Sequence, residues 1–84
     1  MADAAGTILP ARPGGLPALL DFARGFGREH KLPEAAVHRL VVILEELFLN
    51  TVQHGHGGGS DAPVAVELSL LADELRCTYT DQAP

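Results

Sequence analysis

The chain contains 84 residues, 46% of them hydrophobic, and carries a formal net charge of −5. This length allows one small domain, and the apolar content predicts a folded rather than a disordered chain. The six Lys and Arg residues form no run, which argues against a nucleic-acid backbone as the main partner. No stretch reaches the roughly 20 apolar residues of a membrane span, and the single Cys77 cannot form an internal disulfide. We therefore expect a cytoplasmic protein that neither crosses a membrane nor binds nucleic acid.

The first part of the chain predicts a short strand followed by two helices. Apolar residues that recur at three- and four-residue steps indicate both helices, and prolines mark their beginnings. The second helix has no internal Gly or Pro, and Gly55 stands at its expected C-terminal cap. Its middle, Leu40 to Leu44, is apolar all round and is predicted to be buried on most sides. The predicted elements are a strand at 6–11, a helix from about Leu16 to His30, and a helix from Pro33 to about His54.

The last part predicts a β-hairpin that follows a glycine-rich loop. The strands are Val64–Leu71 and Leu75–Thr80, joined by a tight turn at Ala72-Asp73. Alternation places one apolar face toward the two helices, which are available to cover it. The sequence therefore predicts an α+β fold, a two-layer sandwich of two helices on a mixed or antiparallel sheet. The expected cross-strand pairs on the inner face are Leu70 with Leu75, Leu68 with Cys77, and Val66 with Tyr79.

A row of polar side chains on the second helix is the first candidate site. Glu46, Asn50 and His54 follow one another at steps of four, so they line one stripe of an otherwise apolar helix. An Asn carbonyl beside a carboxylate suits Mg²⁺ with phosphates, and we expect Glu46 and Asn50 to border a cleft. The alternative is a solvated helix edge with a capping group.

The strand parity selects a second candidate residue. Asp81 has the same parity as Tyr79 and Cys77, so it is predicted to point into the helix–sheet layer opposite Val64. Cys77 is expected to be buried as a packing residue. His54 and His56 could ligate a metal, but two histidines without further Cys or carboxylate spacing more often lie in a solvated loop, which is the interpretation that we prefer. Ser60 shows no partner that would make it a nucleophile.

The stretch VVILEELFLNTVQHG, residues 41–55, closely resembles the N-box helix of the GHKL ATPase superfamily. Its pattern EExxxNxxxHG, placed after a strand and a helix, looks most like the bacterial anti-sigma-factor serine/threonine kinases. The order of elements resembles that family over nearly the whole chain. The resemblance implies a single incomplete GHKL-type ATP-binding domain at 1–84, in which the later glycine motif, the lid and the final strands are absent.

The resemblance also implies roles for the candidate residues. Asn50 matches the magnesium ligand, and Glu46 matches the catalytic general base. Asp81 matches the residue that hydrogen-bonds the adenine amino group, and His54 matches a frequent histidine near the nucleotide. The implied cofactors are ATP and Mg²⁺. The implied partners are a sigma factor and an anti-anti-sigma antagonist, whose serine receives the phosphate.

Two positions depart from the family pattern. Ala83 stands where a glycine usually follows the Asp, and Gln53 stands where histidine kinases often have Lys. Two alternatives stay open. Ala83 and the missing lid favour a non-catalytic interaction module of the same fold, and a histidine-kinase ATP-binding domain comes third because Gln53 argues against that branch. We also expect a homo-oligomer formed through an open sheet edge or the first strand.

Overall fold

The computed structural model describes residues 3–72 and 74–81. Two helices and a three-stranded antiparallel sheet of order β1-β2-β3 form an α+β fold, which confirms the predicted class. A 3₁₀ turn at Pro13–Gly15 precedes α1, and a π-helical turn at Thr51–Gly55 continues α2 without a break. The main elements are β1 (Ala4–Pro10), α1 (Leu16–Glu29), α2 (Glu34–Asn50), β2 (Pro63–Leu71) and β3 (Glu74–Asp81).

The central strand β2 carries the inner face of the sheet. Val64, Val66 and Leu68 alternate along it, and each is at most 1% exposed. All three predicted hairpin pairs occur in the register of β2 with β3. Asp81 pairs with Val64, as alternation predicted. In the predicted turn, Ala72 has a φ of 57°, while Asp73 lies outside the described residues.

The edge strand β3 is covered less completely than β2. Its inner-face residues Leu75 and Tyr79 are half-buried, and Cys77 is exposed. The predicted burial of Cys77 is therefore wrong, because the helices cover the central strand rather than this edge. Partial burial still raises the pKa of the Cys77 thiol by desolvation.

Helix α1 ends in a reversal built without glycine. The amide of Leu32 donates to the carbonyl of Gly27, and the amide of Lys31 donates to that of Arg28. These two bonds form a Schellman motif, whose left-handed position is occupied here by Lys31 at a φ of 53°. The motif turns the chain from α1 directly into α2, which begins after Pro33.

Helix α2 faces the core with every fourth residue. Leu40, Leu44, Phe48 and, in the π-helical turn, Val52 are each at most 6% exposed. Ile43, on another side of α2, is 49% exposed. The prediction that this part of the helix is buried on most sides is therefore wrong.

The chain stays helical to Gly55, close to the predicted end of the second helix at about His54. Gly55 is not the left-handed cap that we predicted, because the first positive φ of the loop comes at Gly57. The chain therefore turns into a left-handed backbone conformation at Gly57, two residues after the predicted cap at Gly55.

The crossing of α1 and α2 depends on the absence of a side chain at Gly27. A methyl group there would lie 2.5 Å from Val37 Cγ2, whereas one at Gly25 would meet only the Arg28 guanidinium at 3.8 Å.

We expect Gly27→Ala to lower the free energy of unfolding by about 1 kcal/mol, because overpacking of about 1–3 kcal/mol exceeds the helix-propensity gain. Gly25→Ala should raise it by up to about 1 kcal/mol. Urea unfolding of both variants measures the difference. If both substitutions stabilised the protein equally, α1 and α2 could move apart at Gly27 without a measurable cost in free energy.

Candidate functional site

The polar row of α2 lies on the outer side of the helix. Glu46, Asn50 and His54 are all exposed. Each follows a core residue by two positions, which turns it about 200° away from the core. Four depressions of the described surface are lined by other residues. The structure thus keeps the row together, but on an open surface, and the prediction that Glu46 and Asn50 border a cleft is wrong for the described residues.

The carboxylate of Asp81 lies on the inner face of the sheet, beside the end of the α2 segment. A methyl group placed on Gly55 would lie 3.3 Å from Asp81 Oδ2, so the helical turn and the strand end approach closely here. Tyr79 lies on the same face, with its hydroxyl 2.8 Å from Thr51 Oγ1. Alternation therefore continues through the last described residue of β3, and the predicted inward placement of Asp81 is confirmed.

A buried histidine joins Asp81 to the glycine-rich loop, and sequence reasoning missed it. His56 Nε2 lies 2.8 Å from Asp81 Oδ1, and His56 Nδ1 lies 2.7 Å from Ser60 Oγ. The side chain of His56 is only 2% exposed. The predicted solvated position of His56 is wrong, as is the prediction that Ser60 lacks a partner. One signal could have found His56, because it continues the core row of α2 four residues beyond Val52.

The glycine-rich loop gives Ser60 its approach to His56. Gly57, Gly58 and Gly59 all have positive φ, a conformation that residues with a Cβ rarely adopt. They turn the chain back, so that the Gly58 amide donates to the Val52 carbonyl. The Ala62 amide then donates to Ser60 Oγ at 3.1 Å, which fixes the hydroxyl beside the imidazole. The loop therefore closes onto the helix end that it has just left.

The sequence comparison identifies the family of the chain. The family model of the histidine kinase-like ATPase domain matches residues 9–84. The chain belongs to this family. The superfamily indicated by the N-box resemblance is thus confirmed, whereas the anti-sigma-factor branch stays a prediction. No curated protein and no solved structure gives a significant match.

The donor set of this histidine kinase-like ATPase domain suits the family's ligand. Domains of this kind bind ATP, usually with Mg²⁺. Among the described residues, no group of three or more His, Cys, Asp or Glu side chains could enclose a metal. Mg²⁺ does not require such a cage, because it takes one or two protein oxygens beside phosphate and water. Asn50 and Glu46, one turn apart on an exposed face, offer that number of oxygens.

The ATPase domain shows no helix long and apolar enough to span a membrane, as far as its described residues extend. Gln82, Ala83 and Pro84, which continue the family match after Asp81, lie outside the described residues.

The pKa of Tyr79 is sensitive to the position of the Asp81 carboxylate. Burial raises the pKa of Tyr79 above its ordinary value of 10.0, the bond to Thr51 lowers that pKa, and the charge of Asp81 raises it. Tyr79 is the single tyrosine of the chain, so tyrosinate absorbance follows it alone. We expect a wild-type midpoint above 10.0, a lower midpoint in Asp81→Asn and a higher one in Thr51→Val.

The same shift makes stability fall at alkaline pH. As the pH rises, Tyr79 loses its proton in the unfolded chain before it does so in the folded protein, because the folded pKa is higher. The contribution of protonated Tyr79 to stability is therefore complete below about pH 10 and is lost as the pH rises through the folded pKa. A wild-type midpoint at or below 10.0, or no change in Asp81→Asn, would contradict the inner-face contact of these side chains.

Proposed function

We propose that this domain acts as a regulatory protein serine/threonine kinase of the anti-sigma-factor type. It would bind Mg-ATP and transfer the terminal phosphate to a serine of an antagonist protein. A sigma factor would be the second protein partner. The observation that carries the proposal is the position of Asp81, whose carboxylate faces the end of the same helix that carries Glu46 and Asn50.

The distance along the helix suits a nucleotide laid across it. Asn50 precedes Gly55, which lies beside Asp81, by about one and a half helical turns. A nucleotide whose base is held at Asp81 would reach Asn50 only if its phosphates pass around the helix to the outer side. In this arrangement the Asp81 carboxylate accepts a hydrogen bond from the adenine amino group, and Asn50 offers its carbonyl oxygen to the metal. His54, one turn beyond Asn50, lies beside the phosphates.

Glu46 supplies the proposed base catalysis. Its carboxylate accepts the proton of the antagonist's serine hydroxyl as the serine oxygen bonds to the terminal phosphorus. The bond from that phosphorus to the bridging oxygen breaks, and ADP leaves with the electron pair. Mg²⁺ would offset the negative charge of the phosphates when bound. Because Glu46 is exposed, the protein substrate can reach it directly.

Two other functions within the family differ in their demands on the same residues. A non-catalytic interaction module is favoured by the open position of Glu46 and Asn50, which nothing described encloses. A histidine-kinase ATP-binding domain would use the same nucleotide contacts. Gln53, in place of the frequent Lys of that branch, argues against it.

Magnesium-dependent ATP binding tests the proposal. Because Glu46 and Asn50 are exposed, we expect the wild-type chain to bind Mg-ATP weakly, with a dissociation constant of the order of 1 mM. Asn50→Ala should remove the dependence on magnesium. Glu46→Gln should leave binding intact and lower phosphate transfer by about 10²–10⁴-fold.

Glu45→Gln is the matched control for the Glu46 variant, since it makes the same change one position away and should alter neither measurement. Titration calorimetry with and without Mg²⁺ measures binding, and turnover is measured as ADP formation together with transfer of labelled phosphate to the serine-containing partner. Binding without turnover in the wild type, even with a serine-containing partner, would favour the interaction module. ATP binding of the same strength with and without Mg²⁺ in the wild type would contradict the role of Asn50 as the magnesium ligand.

Self-association through β1 is the proposed assembly. β1 is an edge strand of the sheet, and an unpaired edge offers backbone groups to another chain. Ile8 points to the side away from the helices and is 72% exposed. Together with the small residues Gly6 and Ala65, Ile8 lines an open depression of the surface here.

Sedimentation velocity over a range of concentrations checks the assembly. We expect a concentration-dependent dimer in the wild type and a monomer in Ile8→Ser, because the substitution removes the apolar contact. Leu71→Ser is the control, since Leu71 is also apolar and is 62% exposed, but lies at the hairpin end of β2. A monomer at every wild-type concentration, or equal effects of both substitutions, would contradict association through β1.

A further inference from the structure

The hydrogen-bonded chain Ser60–His56–Asp81 is the buried polar feature that the proposed catalytic roles leave unused. We propose that His56 and Ser60 are positioning residues that hold the Asp81 carboxylate in the orientation needed to select adenine over guanine. The inference rests on the proposed function, in which Asp81 reads the base. It adds two residues to the determinants of nucleotide specificity.

With an ionised carboxylate and a neutral imidazole, the donors and acceptors of this chain fit together in one arrangement. An ionised carboxylate only accepts, so His56 Nε2 carries the hydrogen and donates to Asp81 Oδ1. In the neutral imidazole, Nδ1 then accepts from the Ser60 hydroxyl. Ser60 Oγ accepts in turn from the Ala62 amide, so the hydroxyl both donates and accepts. The backbone of the loop thereby sets the direction of a carboxylate on another element.

Asp81 needs such a hold because of its place in the fold. It is the last residue of β3, and β3 is an edge strand. Its side chain is 29% exposed, against 2% for His56. The more buried partner is therefore the fixed one, and the carboxylate is oriented by it. A ligand that meets an oriented side chain does not bear the entropy cost of ordering it.

The orientation decides which base is accepted. A carboxylate oxygen accepts from the exocyclic amino group of adenine, while guanine presents a carbonyl oxygen at the corresponding position. Two acceptors that face each other leave both without a donor, which disfavours guanine. If the carboxylate rotates, both the attraction to adenine and the rejection of guanine weaken.

Two substitutions at position 56 separate the two nitrogen atoms. His56→Gln places an amide nitrogen where Nε2 stands, so it retains a donor for Asp81 and loses the partner of Ser60. His56→Asn places its amide where Nδ1 stands, so it retains a partner for Ser60 and loses the donor for Asp81. We expect His56→Asn to reduce the ratio of Mg-ATP to Mg-GTP affinity by about tenfold, and His56→Gln to retain most of it.

Chemical-shift titration of the full chain with Mg-ATP and with Mg-GTP measures these ratios, even for weak binding. Ser60→Ala, which removes the hydroxyl donor to Nδ1, should reduce the ratio less than His56→Asn. Thr51→Val is the structural control, because it breaks the other bridge between the helix end and β3 without touching Asp81. It should lower the melting temperature and leave the ratio unchanged. Equal ratios in wild type, His56→Asn and His56→Gln would overturn the proposal.

The imidazole nitrogen spectrum of the wild type tests the chain of bonds without nucleotide. We expect Nε2 to carry a hydrogen, and a changed Nε2 signal in Asp81→Asn. An Nδ1–H tautomer overturns the positioning role whether or not ATP binds. If Nε2 carries the hydrogen but neither nucleotide binds, the proposed function fails, and the specificity role fails with it. Tenfold selectivity loss in His56→Asn together with a hydrogen on Nε2 supports both.

Discussion

The row of α2 residues that faces the sheet is the constraint on which the core and the candidate site both depend. Leu44 and Phe48 are fully buried in it, and they share one apolar cluster with Val64, Val66 and Leu68 of β2. Once these positions face inward, the rest of the helix is oriented. Residues two positions further on must face outward, because two steps turn the helix by about 200°. The outer position of Glu46 and Asn50 therefore follows from the packing of the core residues of the same helix.

The π-helical turn keeps this row directed at the sheet as far as His56. In an α-helix each step of four residues advances about 40° beyond a full turn, so a strict row of four drifts around the axis. A turn closed by bonds five residues apart holds more residues, and a step of four falls short of a full circle there. The drift accumulated up to Phe48 is thus partly reversed. Val52 and His56 both face inward as a result.

Patterns with a regular period predicted most of the architecture. Alternation in β2 and β3 gave the correct register, and it placed Asp81 opposite Val64 because β-strand parity survives to the strand end. Helical periodicity found both helices and the grouping of Glu46 with Asn50. These features are local, and each repeats several times along the sequence.

The features that sequence reasoning missed depend on single events. The π-helical turn carries no sequence signal of its own that we could use, so the cap was assigned to Gly55 rather than Gly57. The solvent exposure of Cys77 depends on which strand lies at the edge of the sheet, and the order of the strands cannot be read from the alternation of residues along them. His56 was assigned to a loop because glycines follow it, although those glycines are what allow Ser60 to return to it.

The free-energy cost of burial makes His56 more informative about function than Glu46 and Asn50 are. Glu46 and Asn50 are exposed, so keeping them costs the fold nothing, and their presence alone does not separate an active ATPase from an interaction module. His56 is different, because it ends an apolar row in which a leucine would bury more surface without any hydrogen-bonding requirement. A buried polar chain is stable only if every member is satisfied, and loss of one member leaves its partner with an unmet hydrogen-bonding requirement. His56 and Asp81, which lie 2.8 Å apart, and Ser60, which is joined to His56, are therefore coupled at the helix end where we propose that the nucleotide base binds.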